Sequence, residues 1–250
     1  MSKHSGNMVS KKIVFLNLLI VIFTTVLIVS GIYIAKWLID REGNKKISEK
    51  VSEIIIIDNN PEKETVYKVD FDNLKEINNQ IVGYLKVNGT NIEYAVVKAQ
   101  DNNYYLRRNL DKEYNVGGSI FADYKNKFDG TDKNIVIYGH NMIDGSMFGS
   151  LKSILEEQWY NNEENYMIDL ITEKEEQKYQ VFSVYKIENE DYYIKTEFNN
   201  NEFKKFIDTL KDRSIKKFGV EVIEEDRILT LSTCADNNKY RVVLHAKKIN

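Results

Sequence analysis

Residues 13–35 form a long, predominantly apolar segment, and no other part of the sequence constrains the fold as strongly. The segment contains no charged residue and consists mainly of Ile, Leu, Val and Phe. As an α-helix it would span roughly 34 Å at about 1.5 Å per residue, which is enough to cross a bilayer. A soluble domain rarely buries a helix that is apolar on every face. We therefore predict a transmembrane anchor, preceded by a tail over residues 1–12.

A cleaved signal peptide is the alternative interpretation of this segment. The apolar core of a signal peptide is usually only about 7–15 residues long. The small-residue sequence Val-Ser-Gly at 29–31 is only a weak cleavage site. Lysines both precede and follow the segment, so the positive-inside rule does not assign its orientation.

The remaining chain divides into a polar connector and one domain. Residues 36–65 are charged and polar, which is typical of a stalk, and the apolar patch at 54–57 can dock on the domain. Residues 66–250 are long enough for a single domain. The formal net charge of -3 gives no support to nucleic-acid binding, which usually shows a basic excess.

The domain sequence is dominated by short strand-like runs. Asn88-Gly89 separates two such runs and indicates a β-hairpin. Two amphipathic helices are predicted, one with Phe148, Leu151 and Leu155 on its apolar face and one near residues 203–210. A third helix is expected from residue 71, capped by Asp70 or Asp72. Many short strands with few helices favour a mainly β protein, a β-barrel with peripheral helices. Further strands are expected near residues 118–122, 134–138, 166–171, 177–187, 227–234 and 240–247.

Cys234 is the only cysteine in the chain, so it cannot form an internal disulfide. It is either a small buried hydrophobe or a reactive thiol. If the runs at 227–233 and 240–247 are antiparallel neighbours, the turn between them brings Arg241 back towards Cys234. A permanently charged guanidinium can stabilise an oxyanion beside a thiolate nucleophile.

Three histidines are present, and His4 precedes the predicted anchor. His140 ends a strand-like run where a loop opens, a typical position for a functional side chain, although a hydrogen bond at a strand end would explain it equally well. His245 lies in the middle of a strand, on the same face as Arg241 and Val243 by alternation. We interpret His245 as a rim or surface residue, and it is the rival partner for Cys234. No spacing typical of a metal site is present, and no cofactor is predicted.

Several motifs resemble those of the sortases, membrane-anchored cysteine transpeptidases of Gram-positive bacteria. The resemblance is carried by Thr-Leu-Ser-Thr-Cys at 230–234 and Tyr-Arg-Val-Val-Leu-His-Ala-Lys at 240–247. Tyr-Gly-His-Asn-Met at 138–142, Asp-Asn-Asn-Tyr-Tyr-Leu at 101–106 and Gly-Gly-Ser-Ile-Phe-Ala-Asp-Tyr at 117–124 are similar to class B sortases in particular. The likeness covers roughly residues 70–250, and the motifs occur in family order.

The resemblance implies a sortase-type closed β-barrel of about eight strands. It implies that Cys234 attacks the carbonyl of a threonine in a C-terminal sorting signal and that His140 is the general acid and base. Arg241 would hold the substrate carbonyl or the oxyanion. Asn102, Leu106 and Ser232 would contact the substrate peptide, and no metal or cofactor would take part.

The same resemblance implies partners and a location. The partners would be surface proteins bearing a sorting motif, an amine of a lipid-linked cell-wall precursor, and membrane lipid around residues 13–35. The protein would cross the cell membrane once, with its catalytic domain extracellular.

Two hypotheses other than transpeptidation stay open at this point: an anchored thiol peptidase that releases its product to water, and an inactive anchored binding or sensor module. Ala235 stands where some relatives carry an acidic residue that touches the substrate, which leaves the sorting motif undetermined.

Overall fold

The computed structural model describes residues 3–58, 66–188, 190–199, 202–234 and 239–250. It contains two compact units, Met1–Gly43 and Asn44–Asn250. The described residues of the first unit, up to Gly43, belong to helix α1 (Lys3–Ile54), whose remaining residues are in the second unit. This helix is long and apolar enough to cross a membrane, and most of its apolar side chains between Ile13 and Ile39 are exposed.

The second unit is built around a closed barrel of eight strands, which confirms the predicted fold class. The barrel strands are β3 (Ile81–Val87), β4 (Glu93–Val97), β5 (Ile120–Ala122), β6 (Asn134–His140), β7 (Met167–Ile171), β8 (Glu176–Glu188), β9 (Ile228–Cys234) and β10 (Tyr240–Lys248). The strand order around the barrel is β10-β8-β7-β3-β4-β5-β6-β9, closing back on β10. Pairing is parallel between β4 and β5 and between β6 and β9, and antiparallel elsewhere in the barrel.

A separate two-stranded ribbon and the last turns of α1 pack on the outside of the barrel. The ribbon consists of β1 (Ile55–Asp58) and β2 (Val66–Val69). Val51 in α1 and Ile55 in β1 are buried in an apolar cluster that also contains Leu74 and Tyr105. The Asn44 side chain donates a hydrogen bond to Asn115 Oδ1 at 3.0 Å. The domain boundaries expected from the sequence at residues 36 and 66 stay a prediction.

Side-chain alternation divides the residues of the barrel strands between an inner and an outer layer. Leu229 and Leu231 of β9 belong to the barrel core, together with side chains from each of the remaining barrel strands. Ile228 of β9 belongs to an outer cluster, where it meets helix α4 (Glu202–Arg213). The core inside the barrel fixes the strand registers, because a slip of one residue would exchange the two layers.

Local sequence signals account for several of the connections. The β3–β4 hairpin turns at Asn88-Gly89, where Gly89 has a φ of +68°, as the sequence predicts. Helix α2 (Phe71–Ile77) is capped by Asp70, whose carboxylate accepts from Asn73 N at 3.2 Å. The apolar face of α4 buries the expected stripe at residues 203, 206, 207 and 210.

The helix predicted from Phe148, Leu151 and Leu155 is not an α-helix. Helix α3 is only Glu157–Tyr160, and the preceding segment Gly149–Leu155 is a 3₁₀ helix. Its period of three residues per turn places Ile154, rather than Leu155, in the core. Phe148, Leu151 and Ile154 are fully buried, whereas Leu155 is only half-buried.

This difference can be tested by comparing two truncations. Ile154→Ala should lower the free energy of unfolding by about 2–5 kcal/mol, because it leaves a cavity in the core. Leu155→Ala should cost about 1 kcal/mol or less. Urea unfolding of the two variants measures both values. A larger loss of unfolding free energy for Leu155→Ala than for Ile154→Ala would support the α-helical arrangement instead.

Candidate functional site

The three strands that carry Cys234, His140 and Arg241 are neighbours in the barrel. Strands β6 and β9 run parallel, and their register pairs His140 with Cys234 at the carboxyl end of both strands. Strand β10 runs antiparallel to β9, with Val243 opposite Ser232. Continuing this register towards the start of β10 sets Arg241 opposite Cys234. The fold thus brings the ends of β6 and β9 and the start of β10 to one end of the barrel, although His140 is distant in the sequence from Cys234 and Arg241.

The described part of the site contains the backbone of Cys234 but not its side chain. Strand β9 ends at Cys234, and residues 235–238, which include Ala235 and Asp236, lie outside the described residues. The chain resumes before β10, where Val242 N donates to Thr233 Oγ1 at 2.9 Å. Arg241 is half-buried and pairs through its backbone with Ile187 of β8.

His140 is held on the outer layer of the barrel by a backbone carbonyl. Its side chain is almost fully buried, and Nε2 lies 2.6 Å from the carbonyl oxygen of Leu106. Because a carbonyl only accepts hydrogen bonds, Nε2 carries a hydrogen in this arrangement. Nδ1 is then the nitrogen through which the ring can gain or lose a proton.

The backbone on both sides of His140 is also fixed. Its carbonyl accepts from Phe148 N at 2.9 Å, which closes the loop that follows β6. The preceding Gly139 has no room for a side chain, because a Cβ there would lie 2.5 Å from Ile120 and 2.6 Å from Phe148. The imidazole therefore projects from a rigid strand end.

The three residues expected to contact a substrate lie in different surroundings. The Asn102 side chain donates to Asp123 Oδ2 at 2.8 Å and accepts from Tyr124 N at 3.0 Å. Leu106 is half-buried beside His140. Ser232 is fully buried, and its hydroxyl lies 2.9 Å from the hydroxyl of Tyr193. Their assignment as substrate contacts stays a prediction.

Known sequences and structures match this chain along most of its length. The Sortase domain model matches residues 85–249. Sortase B of Staphylococcus aureus (strain NCTC 8325 / PS 47) is 32% identical over 239 residues, covering 94% of this chain and 97% of that protein. The chain belongs to the sortase family.

Solved structures assign the class within the family. Sortase B from B. anthracis in complex with AAEK1 matches with a TM-score of 0.74 and 36% identity, covering 85% of this chain and 99% of that one. A Staphylococcus aureus sortase B–substrate complex matches with a TM-score of 0.68 and 35% identity over 72% and 84% of the two chains. A sortase B complexed with triglycine matches with a TM-score of 0.68 and 35% identity over 72% and 85%. The protein is a sortase cysteine transpeptidase of class B.

The interpretation of His245 as a rim or surface residue is wrong. The side chain of His245 has no exposed surface in the sortase. Its ring nitrogens lie 2.8 Å from Tyr185 Oη and 2.9 Å from Thr230 Oγ1. Burial lowers the pKa of His245 to about 3, so this imidazole stays neutral near pH 7. The strand face was correctly predicted, but Tyr185 and Tyr193 cover that face.

Two features of the site carry no sequence signal. The partner of His140 is a main-chain carbonyl, a group that every residue possesses. Tyr138, two residues before His140, donates to Asp123 Oδ2 at 2.8 Å, and the same carboxylate accepts from Asn102.

Within the described residues, no group of three or more His, Cys, Asp or Glu side chains is arranged to hold a metal ion.

The burial of neutral His245 predicts a loss of stability in acid. In the unfolded chain His245 has its ordinary pKa of about 6.5 and is protonated below that pH. In the folded chain its pKa is about 3, so His245 stays neutral down to about pH 3. The free energy of unfolding should therefore fall by about 1.4 kcal/mol per pH unit across this window from His245 alone. Urea titrations of the wild type and His245→Gln between pH 7 and 4 isolate this contribution. Equal slopes for the two proteins would contradict it.

Proposed function

We propose that Cys234, His140 and Arg241 are the catalytic residues of this sortase. The observation that carries the proposal is the parallel register that pairs His140 with Cys234. Extending the antiparallel register of β10 with β9 towards the start of β10 directs Arg241 to the same end of the barrel, which supports its inclusion. A thiol, a proton carrier and a fixed positive charge are the groups that acyl transfer through a thioester requires.

In the first half-reaction the thiolate of Cys234 attacks the carbonyl carbon of a threonine in the sorting signal. The carbonyl oxygen becomes an oxyanion, and the Arg241 guanidinium stabilises it. Collapse of this intermediate breaks the peptide bond, and His140 donates the Nδ1 proton to the departing amine. The acyl group remains on Cys234 as a thioester.

In the second half-reaction an amine attacks the thioester. His140 accepts the proton that the incoming amine loses, and the thiolate of Cys234 departs. The ring keeps its Nε2 hydrogen on the Leu106 carbonyl in both halves, so only Nδ1 exchanges protons. The two steps therefore need one imidazole in one orientation.

The substrates proposed for this chain are surface proteins with a C-terminal sorting motif and an amine of a lipid-linked cell-wall precursor. The similarity to a sortase B–substrate complex and to a sortase B complexed with triglycine supports a peptide donor and an amine acceptor. We further propose a single membrane crossing through residues 13–35, with the tail over 1–12 inside the cell and the catalytic domain outside. The apolar α1 supports an anchor.

The roles of the three residues can be tested with sorting-motif peptides and an amine acceptor, followed by mass spectrometry. Cys234→Ala should give no product, and His140→Ala should lower kcat/KM by about 10²–10⁴-fold. Arg241→Lys should lower it by about 10²–10³-fold, because an ammonium cannot reproduce the planar fork of the guanidinium.

The matched control is Arg227→Lys, in the exposed residue just before β9 and therefore far along the strand from Cys234, which should retain activity. Product formation by Cys234→Ala would exclude Cys234 as the nucleophile. Near-normal turnover by Arg241→Lys would show that only the positive charge of Arg241 matters. A larger loss in His245→Ala than in His140→Ala at equal stability would transfer the acid–base role to His245.

A further inference from the structure

We propose that Gly118 and Asp101 are positioning residues for His140, because together they hold the Leu106 carbonyl that fixes the tautomer of the imidazole. The inference rests on the proposed acid–base role of His140 for its effect on turnover. Its effect on the tautomer does not depend on that role.

The carbonyl of Leu106 lies in the 3₁₀ helix Tyr104–Arg107. The helix is fixed at its start, where Asp101 Oδ1 accepts from Asn103 N at 2.7 Å and from Tyr104 N at 2.9 Å. Asp101 is itself exposed. Its carboxylate therefore orients the first turn without forming part of the core.

The middle of the same 3₁₀ helix is anchored in the domain core. Tyr105 is buried, and its hydroxyl donates to Gln80 Oε1 at 2.6 Å and accepts from Asn78 Nδ2 at 2.9 Å. Its carbonyl accepts from Ser119 N at 3.1 Å. The segment that contains Gly118 is thus bonded directly to the residue before Leu106.

Gly118 lies against the carbonyls of this 3₁₀ helix and leaves no space for a side chain. A Cβ at this position would lie 2.5 Å from Tyr105 O and 2.6 Å from Leu106 O. Both neighbours are backbone atoms, so no side chain can rotate away to relieve the clash. The φ of Gly118 is +58°, a conformation that other residues rarely adopt. A methyl group here would push the Leu106 carbonyl from its position beside His140.

The displaced carbonyl would no longer select which ring nitrogen carries the hydrogen. A neutral imidazole without that acceptor can place its hydrogen on Nδ1, the atom that must accept a proton from the incoming amine. We therefore expect kcat to fall. Leu106 is also a predicted substrate contact, so KM can change as well, and the tautomer of His140 without substrate is the readout that loss of a substrate contact alone would not move.

Gly219 supplies a matched control for the substitution of Gly118. Its φ is +73°, so alanine there introduces a similar backbone strain, but no atom of the described residues lies within 4 Å of the added Cβ. Gly219 follows α4 in a loop outside the proposed catalytic site. A comparison of Gly118→Ala with Gly219→Ala therefore separates displacement of the carbonyl from strain at a left-handed residue.

The experiment uses the full chain in detergent micelles and two readouts. Long-range ¹H–¹⁵N spectra of the histidine rings, recorded without substrate and at a pH high enough for the rings to be neutral, identify the nitrogen that carries the hydrogen. Peptide transfer kinetics give kcat and KM separately. Gly118→Ala should lose the Nε2–H form of His140 and lower kcat by about 10–100-fold, in line with the cost of a displacement of about 1 Å. Gly219→Ala should match the wild type in both readouts.

Asp101→Ala provides a second variant, which decides the question if Gly118→Ala does not fold. It should reduce the Nε2–H population and kcat, and Asp101→Asn should restore both because its Oδ1 still accepts. A wild-type tautomer in Gly118→Ala or, if that variant is unfolded, in Asp101→Ala would overturn the proposal. An altered tautomer with normal kcat would retain the positioning role and instead exclude His140 as the acid and base.

Discussion

The parallel pairing of β6 with β9 is the constraint on which the rest of this sortase depends. It aligns His140 with Cys234, and it joins segments far apart in the chain: Thr230 and Asn134, which share a hydrogen bond of 2.7 Å across this pair, are 96 residues apart. Parallel neighbours require a long crossover. Here the crossover includes β7, β8 and α4, so most of the domain must fold before the site exists.

The inward and outward faces of the paired strands have different roles. Inward side chains such as Ile137 and Leu231 fill the barrel core and fix the register. Outward positions carry apolar residues such as Ile228 and Val136 as well as polar groups, and the fold covers each polar group differently. His140 meets a backbone carbonyl, Ser232 meets Tyr193, and His245 is enclosed by Tyr185 and Thr230. The two histidines therefore differ in their surroundings and not in residue type.

The sequence predicts those parts of the fold that local physics controls. Asn88-Gly89 specifies a hairpin, the apolar stripe of α4 specifies a helix, and the short turn after Cys234 makes the antiparallel pairing of β9 and β10 predictable. The β6–β9 pairing has no local signal, because parallel partners are not joined by a turn. The distinction between an α-helix and a 3₁₀ helix at 149–155 depends on how the segment packs on the core, which periodicity alone does not reveal.

The sequence likewise predicts some residues of the candidate site but not the contacts that surround them. Scarcity singled out Cys234 and His140, and alternation placed His245 and Arg241 on one strand face. Which elements cover that face is a tertiary property, so the burial of His245 was not predictable from its strand. The contact between Leu106 and His140 was equally hidden, since a main-chain carbonyl leaves no trace in the choice of residue. Interactions through the backbone and between distant elements are therefore what the structure adds.

The most direct test of this account is a disulfide trap of the β6–β9 register. Cys234 is the only native cysteine, and adjacent strands lie about 4.8 Å apart, within the Cα separation that a disulfide accepts. Under mild oxidation, His140→Cys should form an intramolecular disulfide with Cys234, detected by peptide mapping. Tyr138→Cys, which the register pairs with Ser232, should remain reduced. A disulfide in Tyr138→Cys with free thiols in His140→Cys would contradict the pairing on which the proposed site depends.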